Sequence, residues 1–161
     1  MFESLLPFFL LVLFILFLFF IWRINARKYI SSVTVASAYD AWTQDKLLER
    51  LWGEHIHLGF YPLGTKNTDF RKAKIHFVHE LVKWSGLDKL PKGSRILDVG
   101  CGIGGSSRIL AKYYGFNVTG ITISPAQVKR ARELTSSKLS CNFQVMDALD
   151  LKFEDGSFDA V

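Results

Sequence analysis

RILDVGCGIGGSS, residues 95–107, joins a short apolar run to a cluster of glycines. Residues 95–99 predict a buried strand that carries one acid, Asp98, near its C-terminal end, and residues 106–114 predict a helix. The turn between them contains Gly100, Gly102, Gly104 and Gly105. Glycine lets a backbone approach a ligand closely, and the free N–H groups of a helix N-terminus point into the same space. The stretch therefore predicts a ligand-binding turn at the end of a strand.

Two classes of ligand use such a turn, and the position of the acid separates them. The glycine spacing satisfies the dinucleotide pattern G-x-G-x-x-G, which by itself is a weak signal. A dinucleotide site also needs an acid at the end of the second strand, and the predicted strand 117–122 ends without one. Asp98 precedes the first glycine instead, where a carboxylate suits a ligand with ammonium and sulfonium charge and repels a pyrophosphate.

The pattern apolar-apolar-Asp-x-Gly-x-Gly-x-Gly resembles motif I of the class I S-adenosylmethionine (SAM) methyltransferases. SAM is therefore the expected cofactor. A nicotinamide or flavin cofactor and a purely structural turn are the alternatives.

Strands and helices alternate from residue 93 onward, with strands expected at 95–99, 116–122 and 141–146 and helices at 104–114 and 125–135. This alternation is typical of an α/β fold with a doubly wound, Rossmann-like parallel sheet, which binds its ligand at the C-terminal ends of the strands.

Polar residues at that edge extend the expected cofactor site. Thr122 and Gln127 can offer a hydroxyl and an amide to ribose hydroxyls, and Asp147 with the Ala148 N–H can bind an adenine. The expected cofactor-binding residues are Asp98, Gly100, Gly102, Gly104, Thr122, Gln127, Asp147 and Ala148.

Residues 5–22 form an uncharged run rich in Leu and Phe. As a helix it would be about 27 Å long, close to the roughly 30 Å hydrocarbon core of a bilayer. A cleaved signal peptide is the alternative, but the basic residues Arg23, Arg27 and Lys28 follow the run rather than precede it. We expect a retained transmembrane helix within an anchor over residues 1–28, with the rest of the chain in the cytoplasm.

Length and charge limit the remaining possibilities. The 161 residues fit about one domain, and the net charge of +5 comes from scattered basic residues, so nucleic acid is not an expected partner. We expect a linker and a helical cap over residues 29–92 and a SAM-binding α/β domain over residues 93–161.

Glu54, His55 and His57 lie in a stretch dense in groups that can line a pocket. The two histidines share one face if the backbone is extended, but no third ligand follows at a zinc-like spacing, so we expect no metal. The three residues are the candidates for a catalytic general base, and a structural role is the alternative.

Three stretches resemble the tocopherol-pathway methyltransferases of cyanobacteria: WGEHIHLGFY (52–61), residues 97–131 and DGSFDAV (155–161). The resemblance implies methyl transfer from SAM to a ring carbon of a prenylated benzoquinol of the 2-methyl-6-phytyl-1,4-benzoquinol type. It also implies that Thr122 and Gln127 replace the usual ribose-binding acid. O-methylation of γ-tocopherol is the alternative within the family, and a membrane-tethered module without catalytic activity is the alternative outside it.

The resemblance further implies a plasma or thylakoid membrane, so the expected partners are a lipid bilayer and the prenylated quinol, with no protein partner. Residues 155–161 predict the beginning of a fourth strand that lies beside the first. We therefore expect this chain to be the N-terminal part of a longer protein, with an incomplete α/β domain and no activity of its own.

Overall fold

The computed structural model describes residues 6–25, 32–64 and 69–161. The chain divides into two compact units, Met1–Ala38 and Tyr39–Val161. The division at residues 28 and 92 that the sequence suggests stays a prediction.

Helix α1 (Leu6–Asn25) covers most of residues 5–22, for which the sequence predicts a transmembrane helix, and continues to Asn25. None of the helices in the described residues is long and apolar enough to cross a membrane. The predicted transmembrane helix and the single-pass membrane location were therefore wrong. The prediction counted the run from Leu5, which lies outside the described residues, as do Arg27 and Lys28.

Two helices precede the glycine-containing segment at residue 53, α2 (Ser32–Gln44) and α3 (Leu47–Trp52). Lys46 between them adopts a left-handed φ of 54°, which turns the chain before the next helix begins. Helix α2 lies in the segment 29–92, for which the sequence predicts a linker and a helical cap, and it contains neither glycine nor proline to interrupt it.

Helix α4 (Phe70–Ser85) has a side-chain cap at one end and a glycine at the other. The Asp69 carboxylate accepts a hydrogen bond from the Arg71 N–H (2.8 Å), and Gly86 follows the helix with a left-handed φ of 75°. Val78 and Val82, four positions apart, are buried on one face of this helix.

Three parallel strands form the sheet in the order β1-β2-β3, and the predicted alternation of strands and helices is confirmed. The strands are β1 (Arg95–Val99), β2 (Asn117–Thr122) and β3 (Cys141–Val145). The connecting helices are α5 (Gly105–Ile109), continued by a π-helical turn (Leu110–Tyr114), and α6 (Pro125–Leu134).

The last residues lie beside β1, as the sequence predicts. Ala160 forms a parallel bridge with Ile96, and the Leu97 N–H donates to the Ala160 carbonyl (3.0 Å). Since β2 occupies the other edge of β1, the strand order reverses at β1. This reversal is the switch point at which doubly wound sheets bind their ligands.

Two clusters of buried apolar side chains hold the sheet and its helices together. Ile96 and Val118 pack with Phe116, Leu110, Ala111 and Val82, and Phe143 packs with Cys101, Val128 and Ala131. Burial of each large apolar side chain contributes about 1.5–3 kcal/mol. These contacts leave the polar ends of β1 and β2 facing a common cavity.

Candidate active site

A cavity of about 390 Å³ lies at the C-terminal ends of β1 and β2. Nine of the eleven residues that the sequence analysis names for the site line it: Glu54, His55, His57, Asp98, Gly100, Gly102, Thr122, Gln127 and Ala148. Gly104 and Asp147 are not part of this lining. The structure therefore brings the expected catalytic and cofactor-binding groups into one site.

The glycine turn leaves room for a ligand against its backbone. Gly100 and Gly102 adopt φ values of +75° and +55°, and a Cβ at either position would meet no heavy atom within 4 Å. Gly104 differs, because a Cβ there would lie 2.6 Å from the Phe143 ring. Gly100 and Gly102 thus border open space, whereas Gly104 permits close packing against β3.

Asp98 places a carboxylate at the floor of the cavity. Its Oδ2 accepts a hydrogen bond from the hydroxyl of Ser107 (2.6 Å), which is fully buried. Burial raises the pKa of Asp98, and the hydrogen bonds from Ser107 act in the opposite direction. A cationic ligand beside this carboxylate would offset the cost of its burial, as the ammonium group of SAM can.

Thr122 and Gln127 contact each other rather than acting as two separate donors. The Thr122 hydroxyl donates to Oε1 of Gln127 (2.7 Å) and accepts from the N–H of Ser124 (3.3 Å). Within the described part of the chain, Nε2 of Gln127 has no protein partner. The hydroxyl therefore fixes the orientation of the amide, and the amide nitrogen is left to donate into the cavity.

Helix α6 carries Gln127 and begins at a double cap. The Ser124 Oγ accepts from the Gln127 N–H (3.1 Å), and Pro125 occupies the first helical position. Asp40 in helix α2 adds a second acceptor, since its Oδ1 accepts from the Ser124 hydroxyl and from the Ala126 N–H (3.0 Å). Sequence reasoning missed Asp40, because nothing local in helix α2 indicates a partner so distant in the chain.

His55 and His57 lie in direct contact beside the glycine turn. His55 Nδ1 is 3.1 Å from His57 Nε2, and His57 Nδ1 is 2.8 Å from the carbonyl oxygen of Leu58. Burial, followed by the nearby His57, lowers the pKa of His55 to about 4, so its ring is neutral at physiological pH. A neutral imidazole in a cavity is suited to accept a proton.

Glu54 is committed to an ion pair. Its carboxylate lies 2.5 Å from the guanidinium of Arg108, which also donates to the Ile103 carbonyl (2.7 Å). This ion pair ties the segment after helix α3 to helix α5.

Two further residues lie near or in the cavity: Asp147, which the sequence predicts for the site, and Tyr39, which it does not. The Asp147 carboxylate accepts from the Leu149 N–H (2.9 Å) and shapes the turn after β3, which places Ala148 at the cavity. Tyr39 also lines the cavity, and only its aromatic side chain next to an acid, in AYDAW, signals it in the sequence. No cluster of metal-ligating side chains occurs among the residues described.

Comparison with known proteins agrees with this geometry. Residues 96–161 match a family model described as a methyltransferase domain. The chain is 60% identical, over 88% of its length, to 44% of the 2-methyl-6-phytyl-1,4-hydroquinone methyltransferase of Synechocystis sp.. It is 42% identical, over 71% of its length, to 36% of the chloroplastic tocopherol O-methyltransferase of Arabidopsis thaliana. The chain thus spans less than half the length of these relatives.

A solved structure shares the fold. The geranyl diphosphate C-methyltransferase of Streptomyces coelicolor, in complex with S-adenosyl-L-homocysteine, aligns with a TM-score of 0.60 at 22% identity. The alignment covers 82% of this chain and 54% of that one. With the parallel sheet, the glycine turn and the acid before it, these findings show that residues 96–161 contain a methyltransferase domain with the Rossmann-like fold of the class I enzymes.

Proposed function

We propose that this chain binds SAM for the methylation of a ring carbon of a prenylated hydroquinol, of the 2-methyl-6-phytyl type. In this proposal residues 93–161 hold the cofactor and residues 29–92 form a linker and a cap over it. The observation that carries the proposal is Asp98 beside Gly100 and Gly102, whose Cβ positions are open. The high identity to the Synechocystis enzyme supports the substrate class.

The roles of the residues follow from their places around the cavity. Asp98 binds the cationic end of the cofactor, and Gln127, oriented by Thr122, donates to the ribose hydroxyls. Gly100 and Gly102 admit the cofactor against the backbone, and Ala148 borders the adenine. The bound cofactor supplies an electrophilic methyl group, so the chain mainly has to hold donor and acceptor in line and exclude water.

The hydroquinol that accepts the methyl group needs a base to remove its hydroxyl proton. A hydroquinol ring carbon becomes a strong nucleophile when its hydroxyl loses a proton, because the phenolate oxygen pushes charge into the ring. His55 is the group we assign to this proton, since Glu54 is paired with Arg108. A positioned general base contributes roughly 10²–10⁴-fold to such a step.

A methyl-transfer assay tests the proposal. The whole protein is incubated with SAM labelled in its methyl group and with 2-methyl-6-phytyl hydroquinol or γ-tocopherol as acceptor. We expect label on the ring of the hydroquinol, and a loss of both transfer and SAM binding in Asp98→Ala. Label on the oxygen of a tocopherol instead would favour the second candidate, O-methylation, which the Arabidopsis relative supports. Binding of NAD in place of SAM would contradict both.

A further inference from the structure

The hydrogen bonds of the two histidines fix where their protons lie. The Leu58 carbonyl can only accept, so Nδ1 of His57 carries a hydrogen in the 2.8 Å contact. In a neutral His57 the other nitrogen, Nε2, then holds a lone pair. Nδ1 of His55, 3.1 Å away, must therefore donate to it.

The same logic determines the free end of His55. With its proton on Nδ1, a neutral His55 holds a lone pair on Nε2. Among the described residues nothing pairs with this nitrogen, and both rings line the cavity. The chain of contacts therefore runs from an unprotonated nitrogen of His55, through His57, to a backbone carbonyl.

We propose that His55 and His57 form a proton relay, in which His55 takes the acceptor's hydroxyl proton at Nε2 while its Nδ1 proton passes to His57. The proposal rests on the proposed function and deepens it. It makes His55 the catalytic base and His57 a positioning residue that holds the tautomer of His55 and receives the charge.

The step balances without a further reactant. The hydroxyl O–H bond breaks toward His55, and the ring carbon forms a bond to the methyl group, whose bond to sulfur breaks with the electron pair left on sulfur. The ring carbon then loses its own proton to water, while the relay runs back and His55 returns a proton from Nε2 to the oxygen as its Nδ1 regains one from His57. Each turnover therefore releases one proton, from the ring carbon, to solvent, and both histidines regain their starting tautomers.

The surroundings favour charge on His57 over charge on His55. Burial makes an imidazolium at His55 costly, and Arg108 and Lys74 add positive charge near it, while Glu54 opposes them. The Asp98 carboxylate interacts favourably with a positive His57. A lone His55 is a weak base for these reasons, and handing its proton to His57 removes the penalty.

Protonation of His57 reverses the relay. If His57 already carries both protons, its Nε2 donates to Nδ1 of His55, and the hydrogen of His55 moves to Nε2. The cavity then faces an N–H donor, which cannot accept a proton.

Two experiments test the relay. His57→Gln keeps an acceptor for the His55 Nδ1–H but cannot take a proton. We expect roughly a 10²-fold fall in kcat with unchanged binding of S-adenosylhomocysteine. An unchanged kcat would overturn the relay, whereas absence of methyl transfer in the unsubstituted protein would contradict the proposed function.

The second experiment needs no turnover and no variant. Histidine nitrogen NMR on the protein at neutral pH should show the hydrogen of His55 on Nδ1 and a lone pair on Nε2, which is the tautomer that the relay needs. His55 protonated on Nε2 would overturn the proposal even if His57→Gln failed to fold.

Discussion

Asp40 and Ser124 lie 84 residues apart in the chain, and the hydroxyl of Ser124 donates a hydrogen bond to the carboxylate of Asp40. The same oxygen accepts from the Ala126 N–H (3.0 Å), so a side chain of helix α2 caps helix α6. Because α6 presents Gln127 to the cavity, this contact connects helix α2 to the part of the proposed site that binds the ribose.

Asp40→Ala should therefore lower both stability and cofactor affinity. Loss of a helix cap costs about 1 kcal/mol, which corresponds to a fall of roughly 2–4 °C in Tm for a chain of this size. Thermal unfolding measured with and without S-adenosylhomocysteine would show both effects. Asp40→Asn retains an acceptor oxygen and is the matched control. An alanine variant as stable as the unsubstituted protein would mean that Ser124 caps the helix alone.

Substitution of Thr122 tests the proposed ribose-binding part of the site more directly. Thr122→Val keeps the shape of the side chain but removes the hydroxyl that donates to Gln127 Oε1 (2.7 Å). We expect roughly tenfold weaker binding of S-adenosylhomocysteine by calorimetry, since the amide is no longer held in one orientation. Thr122→Ser preserves the hydroxyl and should bind nearly as well as the unsubstituted protein. Equal affinity in Thr122→Val would show that Gln127 is oriented by its packing.

The sequence predicted the α/β part of the fold well because its signals are local. Strand β1, the glycine turn and helix α5 follow directly on one another, and parallel strands place their C-terminal ends at one edge. That rule alone brings Asp98 and Thr122 to the same cavity. The Ala160 bridge beside β1 follows from the same topology.

The features that the sequence analysis missed or predicted wrongly have other causes. The contacts of Asp40 join residues far apart in the chain, and no local pattern encodes them. The pairing of Glu54 with Arg108 likewise depends on how the segment after helix α3 packs on helix α5. For helix α1, the uncharged run suggested a transmembrane helix, whereas no helix among the described residues is long and apolar enough to cross a membrane.

The two roles of the glycines can be separated by parallel substitutions. Gly100→Ala places a methyl group in open space at a φ of +75°, so we expect a backbone cost of about 1–2 kcal/mol and a large loss of cofactor affinity. Gly104→Ala forces a methyl group to within 2.6 Å of the Phe143 ring, so its larger effect should be on stability. Tm and S-adenosylhomocysteine affinity, measured on both variants, should rank them in opposite orders. The same ranking by both measures would contradict the assignment of Gly100 to the cofactor.

The pH dependence of stability should report the burial of His55. Its folded-state pKa of about 4 lies below the ordinary value of 6.5, so between these values the unfolded chain binds more protons than the folded one. The free energy of unfolding therefore falls as the pH drops from 6.5 toward 4. A shift of this size corresponds to roughly 3 kcal/mol for a fully buried group, and we expect about 1–2 kcal/mol because solvent screens the partly exposed ring. Urea unfolding at pH 7 and pH 5 measures it. His55→Gln cannot titrate and should lose less stability over this interval, and an equal loss in both proteins would mean that the charge of His55 does not oppose folding.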